Sequence, residues 1–427
     1  MAIIQVRDGY KDSEIGIIPI HWDVSMIGDH IQSLEAGVSV NSENRPATNF
    51  EKGVLKTSAT TRNKFESSEN KVIIPDDIER ARVSPQKDSL IVSRMNTPDL
   101  VGATGYVDSD YPNLFLPDRL WMAQIKKNTS AQWLYYVLIS DSMKEQLRNT
   151  ATGTSGSMKN LSKPAFSGLK IPLPPLPEQQ KIADILSTID EHITETEFLI
   201  EKTKILKQGM MQRLLTKGID NTEFKDTEFG RIPVEWEVVS FGSICACRNE
   251  KYMPSADESK KYVALEHIDQ ATGRLIGVGV SNESCSLKTA FRVNDVLFGK
   301  LRPYLKKYWL AQFDGVCSTE IFAFSAKDKV LPAFLLYFVE QDSFVRQATG
   351  KSYGTKMPRA SWDDIQYVLV PLPSLHEQNH IASILNTIDD QIGTYQAKLE
   401  TLTQLKLGLM QQLLTGKIRV KVGQNSF

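Results

Sequence analysis

An α+β architecture is predicted for this chain: two pseudo-repeated mixed α/β domains separated by two long helices that pack as an antiparallel coiled coil. Three observations carry that prediction. The chain repeats its own framework, each repeat ends in a long apolar seam, and the segments between framework pieces alternate short β-rich runs with Gly and Pro.

The framework opens with KDSEIGIIPIHWDV (Lys11 to Val24), which returns as KDTEFGRIPVEWEV (Lys225 to Val238), displaced by 214 residues. Its second part, PLPPLPEQQKIADILSTID (Pro172 to Asp190), returns as PLPSLHEQNHIASILNTID (Pro371 to Asp389), displaced by 199. The piece LKQGMMQRLLT (Leu206 to Thr216) returns as LKLGLMQQLLT (Leu405 to Thr415) with the same displacement. Between the opening and the proline-rich piece the two copies differ by fifteen residues and show little likeness. Each half is therefore a fixed frame around a variable middle.

The divergent middles contain DSLIVSRMNTPDLVGATGYVD (Asp88 to Asp108) and NDVLFGKLRPYLKKYWLAQFDG (Asn294 to Gly315), whose β-rich runs are broken by Gly and Pro. AQWLYYVLISDSMKEQL and PAFLLYFVEQDSFVRQ read as helices with one packed apolar face. A twisted, mostly antiparallel sheet is expected in each middle.

The frame's second part reads as a long helix. Prolines before Glu178 and Glu377 impose an extended approach, and the two glutamates suit the positive end of the helix dipole. The seam in the first copy runs Ile182, Ile185, Ile189, Ile193, Leu206 and Leu214. In the second it runs Ile381, Ile384, Ile388, Ile392, Leu399, Leu402 and Leu413. A stripe of that length exceeds an ordinary globular helix, and about 38 residues at ~1.5 Å each make a rod on the order of 57 Å. The second mixed domain must be carried to the far end of the first rod, which favours an antiparallel pair. The expected division is 1–170 (first mixed domain), 171–217 (central helix), 218–369 (second mixed domain), 370–420 (C-terminal helix) and 421–427 (polar tail).

A hydrophobic share of 41% and a charged share of 24% are those of a soluble globular protein, and the 427 residues suffice for two or three cores. The net charge of -1 gives no global sign of nucleic-acid binding, so that case rests on local patches. Signal-peptide and membrane-spanning apolar runs are absent, and a cytoplasmic location is expected. Cys245, Cys247, Cys285 and Cys317 form no zinc-type double pair and read as free thiols.

Several motifs point to catalysis and fail on their spacing. His376-Glu377-Gln378-Asn379-His380 fits the H-E-x-x-H pattern of a zinc-dependent hydrolase. The first copy replaces both histidines by Pro177 and Lys181 while keeping Glu178 and Gln179, so the shared function of the stretch is to start a helix. Gly350-Lys351-Ser352 resembles the tail of a phosphate-binding loop, but Val345 stands where its first glycine belongs. No adenine methyltransferase signature or glycine-rich cofactor loop is present, and Pro75-Asp76 lacks the partners of a nuclease. No catalytic or metal-ligating residues are expected.

What remains are basic, polar and aromatic mixtures in the middles: Lys56, Arg62 and Lys64; Lys159, Asn160 and Lys163; Lys300, Arg302, Tyr304 and Lys306; Lys351, Lys356 and Arg359. Lysine and arginine suit phosphates, and Arg, Asn and Ser read base edges. A solvated basic surface has the same composition.

The framework with Gly16-x-Ile18-Pro19-x-x-Trp22 and Gly230-x-Ile232-Pro233-x-x-Trp236, the rod start PLPPLPEQQKIADIL and the ending QRLLT resembles the specificity subunits of type I restriction-modification systems. SRMNTPDLVG, which holds Arg94 and Asn96, and YVALEHID are similar to pieces of that family's recognition domains. The resemblance implies that 1–170 and 218–369 are target-recognition domains for double-stranded DNA, each reading one half of an asymmetric bipartite target. The two helices become a spacer ruler and a dock for two modification (methyltransferase) subunits. S-adenosylmethionine and ATP with Mg are then expected on those subunits and on motor-nuclease restriction subunits, with no cofactor in this chain and no membrane. Glu191, Glu195, Glu197 and Glu201 on the first rod would face water or basic partner surfaces. Alternatives are a related type IIB-like system, in which one partner polypeptide both modifies and cleaves, a coiled-coil scaffold without DNA, and, most distant, the zinc-dependent hydrolase.

Overall fold

The computed structural model describes residues 8–153, 157–228, 230–255, 258–283, 285–350, 352–354 and 356–421. The chain divides into two compact units, one of residues up to Thr196 with those from Lys398 onward, the other Glu197–Ala397.

In the first unit the relevant elements are β1 (Ile31–Ala36), β2 (Ser89–Ser93), β3 (Met95–Asn96), β4 (Thr104–Tyr106), β5 (Leu120–Ile125), α1 (Ala131–Leu138), α2 (Asp141–Thr150) and β6 (Lys159–Asn160), followed by the long helix α3 (Leu176–Lys217). A four-stranded antiparallel sheet runs in the order β4-β2-β5-β1. Every residue of β2, SLIVS, is buried, because the sheet is covered on both faces. α1 starts where the Ser130 hydroxyl accepts the Trp133 amide, and it buries Trp133 to Leu138. A second sheet joins Leu114–Phe115, Gly53–Leu55, Asn70–Ile73 and Ser42–Glu43, with one parallel pairing.

The second unit repeats the plan with β7 (Cys245–Cys247), β8 (Val296–Gly299), β9 (Tyr308–Leu310), β10 (Ile321–Ala326), α4 (Pro332–Glu340), α5 (Asp342–Gly350) and β11 (Arg359–Ala360), ending in α6 (Leu375–Leu413). Its antiparallel sheet has the order β7-β10-β8-β9, the same succession as β1-β5-β2-β4. The middles therefore share a topology that their sequences do not show.

The recurring frame is one joint. Asp23–Met26 pairs antiparallel with Lys170–Leu173, and Glu237–Ser240 with Leu369–Leu372. The opening of each frame is thus bonded to the proline-rich strand that leads into its helix. These are two-stranded ribbons, where Pro172 and Pro371 forfeit no central-sheet bond. Just beyond, Glu178 accepts the Trp22 indole N–H at 3.0 Å and the Arg419 guanidinium at 2.6 and 2.8 Å. Glu377 accepts the Trp236 indole at 2.8 Å, the Asn221 amide at 2.8 Å and the Ile219 backbone N–H at 2.9 Å. The neighbouring glutamines hold the helix above. Gln179 accepts the Ser130 N–H and donates to the Pro174 carbonyl, while Gln378 accepts the Leu331 N–H and donates to Pro373 and Lys329. The glutamates thus bind far more than the helix dipole. Gly218 (φ 67°) and Gly416 (φ 71°) turn the chain away from the long helices in the left-handed region. A Cβ would meet the Glu377 carboxylate at 2.1 Å from Gly218, and Pro19 at 2.4 Å from Gly416.

Within each unit the two long helices run antiparallel. In the first, Ile182, Ala183 and Leu186 of α3 share a core with Met410, Leu413 and Leu414, and Asp190 pairs with Lys406 at 2.6 Å. In the second, Ile381, Ala382 and Leu385 of α6 share a core with Met211, Leu214 and Leu215, and Asp389 pairs with Lys207 at 2.8 Å. Ile182, Ile189, Ile381, Ile388, Ile392, Leu214 and Leu413 are buried, and Ile185, Ile193, Ile384, Leu399 and Leu402 are half-buried.

Leu206 departs from the expected seam: it is 55% exposed, and Lys207 takes the inward place at 8%. The inward row keeps a seven-residue spacing through Leu186, Ile193, Ile200, Lys207 and Leu214, which puts position 207 inward and Leu206 beside the seam. A lysine can occupy that place because its ammonium reaches Glu340 at 2.7 Å as well as Asp389, and lies 5.3 Å from the Tyr337 ring centre. Burial raises the Glu340 carboxyl above its ordinary range, and Lys207 opposes that rise. Lys406, Asp190 and Tyr136 form the corresponding group in the first unit. Lys207→Met should destabilise the fold by about 3 kcal/mol or more, because two carboxylates are left without their cation. Leu206→Gln should change stability by no more than about 0.5 kcal/mol. Chemical denaturation measures both, and equal losses would contradict the inward place of Lys207.

Candidate nucleic-acid interface

The candidate surface is built where a central strand of each main sheet ends. In the first unit β2 stops at Ser93. The Arg94 amide then donates to the Arg119 carbonyl at 3.0 Å, and the Arg94 carbonyl accepts the Leu161 amide at 2.8 Å. The chain continues as β3, paired with β6 so that Lys159 faces Asn96 and Asn160 faces Met95. The Arg94 guanidinium lies 5.8 Å from the Trp121 ring centre. Its Nε is enclosed without an acceptor, and the Asn160 Oδ1 is enclosed without a donor. Asn96 is tied down by Ser93 Oγ at 3.2 Å and the Thr97 amide at 2.9 Å.

The second unit builds the same junction. Past β8, the Lys300 amide donates to the Glu320 carbonyl at 2.8 Å, and the Lys300 carbonyl accepts the Ala360 amide at 3.0 Å. Leu301 bridges to Arg359, and the Arg302 amide donates to the Pro358 carbonyl at 2.8 Å. Lys300 Nζ lies 5.7 Å from the Phe322 ring centre. Phe322 pairs with Phe298 as Trp121 pairs with Val92. Arg302 (φ 52°) and Lys306 (φ 51°) both take the left-handed conformation and flank a short turn, Pro303–Leu305. Bulky residues rarely adopt it. The Arg302 Nε is also enclosed without an acceptor.

Register thus equates four positions: Arg94 with Lys300, Asn96 with Arg302, Arg119 with Glu320, and Asn160 with Arg359. The backbone is shared, yet the side chain differs at all four. Charge balance differs as well, since Arg359 Nε donates to both Glu320 oxygens at 3.0 and 2.9 Å. Arg94, Lys300 and Arg302 have no acidic partner among the described residues.

The remaining candidate residues fall around these junctions. Lys159 Nζ donates to the Ala151 carbonyl at 3.5 Å, and Lys163 Nζ to the Leu34 carbonyl. Tyr304 is half exposed and Lys356 exposed, whereas Lys351 lies outside the described residues. Lys306 is paired with Asp342, and the Lys306 hydrogen bond lowers the Asp342 carboxyl below its usual range. On the smaller sheet's side Lys56 lies 3.6 Å from Glu69 and Arg62 3.6 Å from Glu66. Lys64 Nζ donates to Thr194 Oγ1 on α3 at 3.4 Å. Arg119, Trp121, Glu320 and Phe322 escaped the sequence reading because only strand register brings them here.

His376 and His380 lie with ring centres 4.3 Å apart and planes tilted by 59° on the exposed face of α6. Glu377, the general base of a zinc site, is instead committed to Trp236, Asn221 and Ile219. No third ligand groups with these histidines among the described residues. Burial pushes the Cys247 thiol up to about 11 and Cys317 up to about 12, as expected of packing thiols.

The profile of the type I restriction modification DNA specificity domain matches residues 19–204 and again 233–404. The chain belongs to the type I restriction-modification DNA specificity family. It is 26% identical over 434 residues to the putative type I restriction enzyme MjaX specificity subunit of Methanocaldococcus jannaschii, covering 97% of this chain and 98% of that one. To the MjaVIII specificity subunit of the same organism it is 31% identical over 302 residues, covering 67% and 70%. The fold is similar to the crystal structure of a type I restriction-modification S subunit from M. genitalium, with a TM-score of 0.61, 15% identity, and 96% and 98% of the two chains covered. Membership makes this chain a DNA-recognition subunit of a type I system, and specificity subunits are non-catalytic. No helix among the described residues is long and apolar enough to cross a membrane.

Replacing Arg94 or Lys300 by Ala should weaken DNA binding and reduce the slope of log K against log salt by about one unit for each phosphate the side chain had neutralised. Titration at several salt concentrations measures this, and an unchanged slope would place that residue away from the phosphates.

Proposed function

We propose that this specificity subunit reads an asymmetric, bipartite DNA sequence, with residues 1–170 recognising one half and 218–369 the other. One observation carries the reading: the same strand-end junction occurs in both units with different side chains at all four equivalent positions. A scaffold kept constant while its exposed chemistry changes suits two readers of different bases. The long helices fix the unread spacer and dock two modification subunits, which carry S-adenosylmethionine and methylate adenine. Motor-nuclease restriction subunits using ATP and Mg join that complex, and the whole acts in the cytoplasm. This chain supplies no cofactor site. Glu191, Glu195, Glu197 and Glu201 are exposed on α3 and offer negative charge to basic partner surfaces.

The near-neutral net charge fits this division of labour, because the partners add their own phosphate contacts around the duplex. Inserting four residues between 196 and 197 and four between 397 and 398 adds about one turn, ~6 Å, to each helix. Methylation of substrates with graded spacers should then favour a spacer longer by about two base pairs, at ~3.4 Å per pair. An unchanged spacer preference would refute the ruler.

A further inference from the structure

We propose that the four strand-end positions are the specificity-determining set of each recognition domain, and that Arg302 reads a guanine in the half-site of the second domain. The proposal rests on the DNA-recognition reading above and names the residues that perform it.

Arg302 is singled out by three independent features. Its backbone is strained, with φ 52° at a bulky residue, and the strain is held in place from both sides. The Arg302 amide is bonded to the Pro358 carbonyl at 2.8 Å, and its carbonyl accepts the Leu305 amide at 2.9 Å. Strain of this kind persists where the surroundings over-determine it, which is common at ligand-binding positions. Next, its charge is unspent. The carboxylate at the same junction, Glu320, is taken up by Arg359 through both of its oxygens, and Arg302 has no ion pair among the described residues. Only its inner nitrogen is enclosed, without an acceptor, so the guanidinium edge carrying the terminal nitrogens is left for an outside group. Finally, its counterpart in the first unit is Asn96, whose amide oxygen and nitrogen are both engaged within the protein. The same backbone place therefore offers a free cationic fork in one domain and a closed amide in the other.

A half-buried arginine held rigid at a strand end, with two parallel donors outward, matches the O6 and N7 acceptors on guanine's major-groove edge. A phosphate would also take the fork, but it would carry no base preference. In the first domain Arg94 Nε and Asn160 Oδ1 are enclosed at the corresponding junction, and no arginine stands at the place of Arg302. A different set of bases is implied there, because the side chains at the four places differ.

The test uses the whole chain co-expressed with its modification subunits and reads the methylated motif across a genome. Arg302→Gly removes the side chain while easing the positive φ, so its unfolding midpoint should not fall. Arg302→Lys keeps the charge but lacks the bidentate fork. Both variants should lose discrimination at one guanine in one half-site, on the order of ten- to hundredfold, with the other half-site unchanged. An unchanged motif would overturn the assignment. So would relaxation in both halves, or a uniform weakening of binding with a lower salt slope and no change in base preference, which marks a phosphate anchor. A wild-type complex that yields no bipartite motif would refute the DNA-recognition reading itself, an outcome separate from any of these.

Discussion

A carboxylate in the first turn of each long helix holds the parts of this protein together. Glu178 and Glu377 each accept the indole of a tryptophan that belongs to the frame's opening segment. Each also accepts donors from the chain that leaves the other long helix, namely Arg419 in the first unit and Asn221 with Ile219 in the second. A buried carboxylate must be paired or fully hydrogen-bonded. Three distant segments are therefore compelled to meet at one point in each unit. The adjacent glutamine extends the grip to the helix that covers the main sheet. Constancy of the frame and freedom of the middle follow from this arrangement, since no donor or acceptor of the joint comes from the strand-end surface.

That freedom is visible in electrostatics. The first unit's junction carries Arg94 and Arg119 with two asparagines, whereas the second carries Lys300, Arg302 and Arg359 against Glu320. Several other cations near the surface are spent internally, among them Lys56, Arg62, Lys64 and Lys306. At the strand ends themselves, Arg94, Lys300 and Arg302 have no ion pair among the described residues.

Much of the fold was legible because the chain states its frame twice and its helices have a clear period. The seam reading failed at Leu206 because a lysine at the next position reads as outward unless its partners are known. Those partners, Glu340 and Asp389, come from elements far along the chain. The glutamates at the helix starts read as dipole partners, and nothing local connects them to Trp22 or Trp236. Recurrence of both in both copies was the available signal. At the candidate interface, Arg94, Lys300, Arg302 and Arg359 stand out in the sequence as cations among aromatic and polar residues. Arg119 and Glu320 do not, since their place is fixed by strand register across divergent sequence.

The claim that the twice-written frame is a single physical joint is tested most directly by a double-mutant cycle on Trp236→Phe and Glu377→Gln, measured by chemical denaturation. The joint predicts a coupling energy on the order of 1 kcal/mol or more between the two positions, and a similar value for Trp22→Phe with Glu178→Gln. Additive losses, with a coupling under about 0.3 kcal/mol in both cycles, would contradict it.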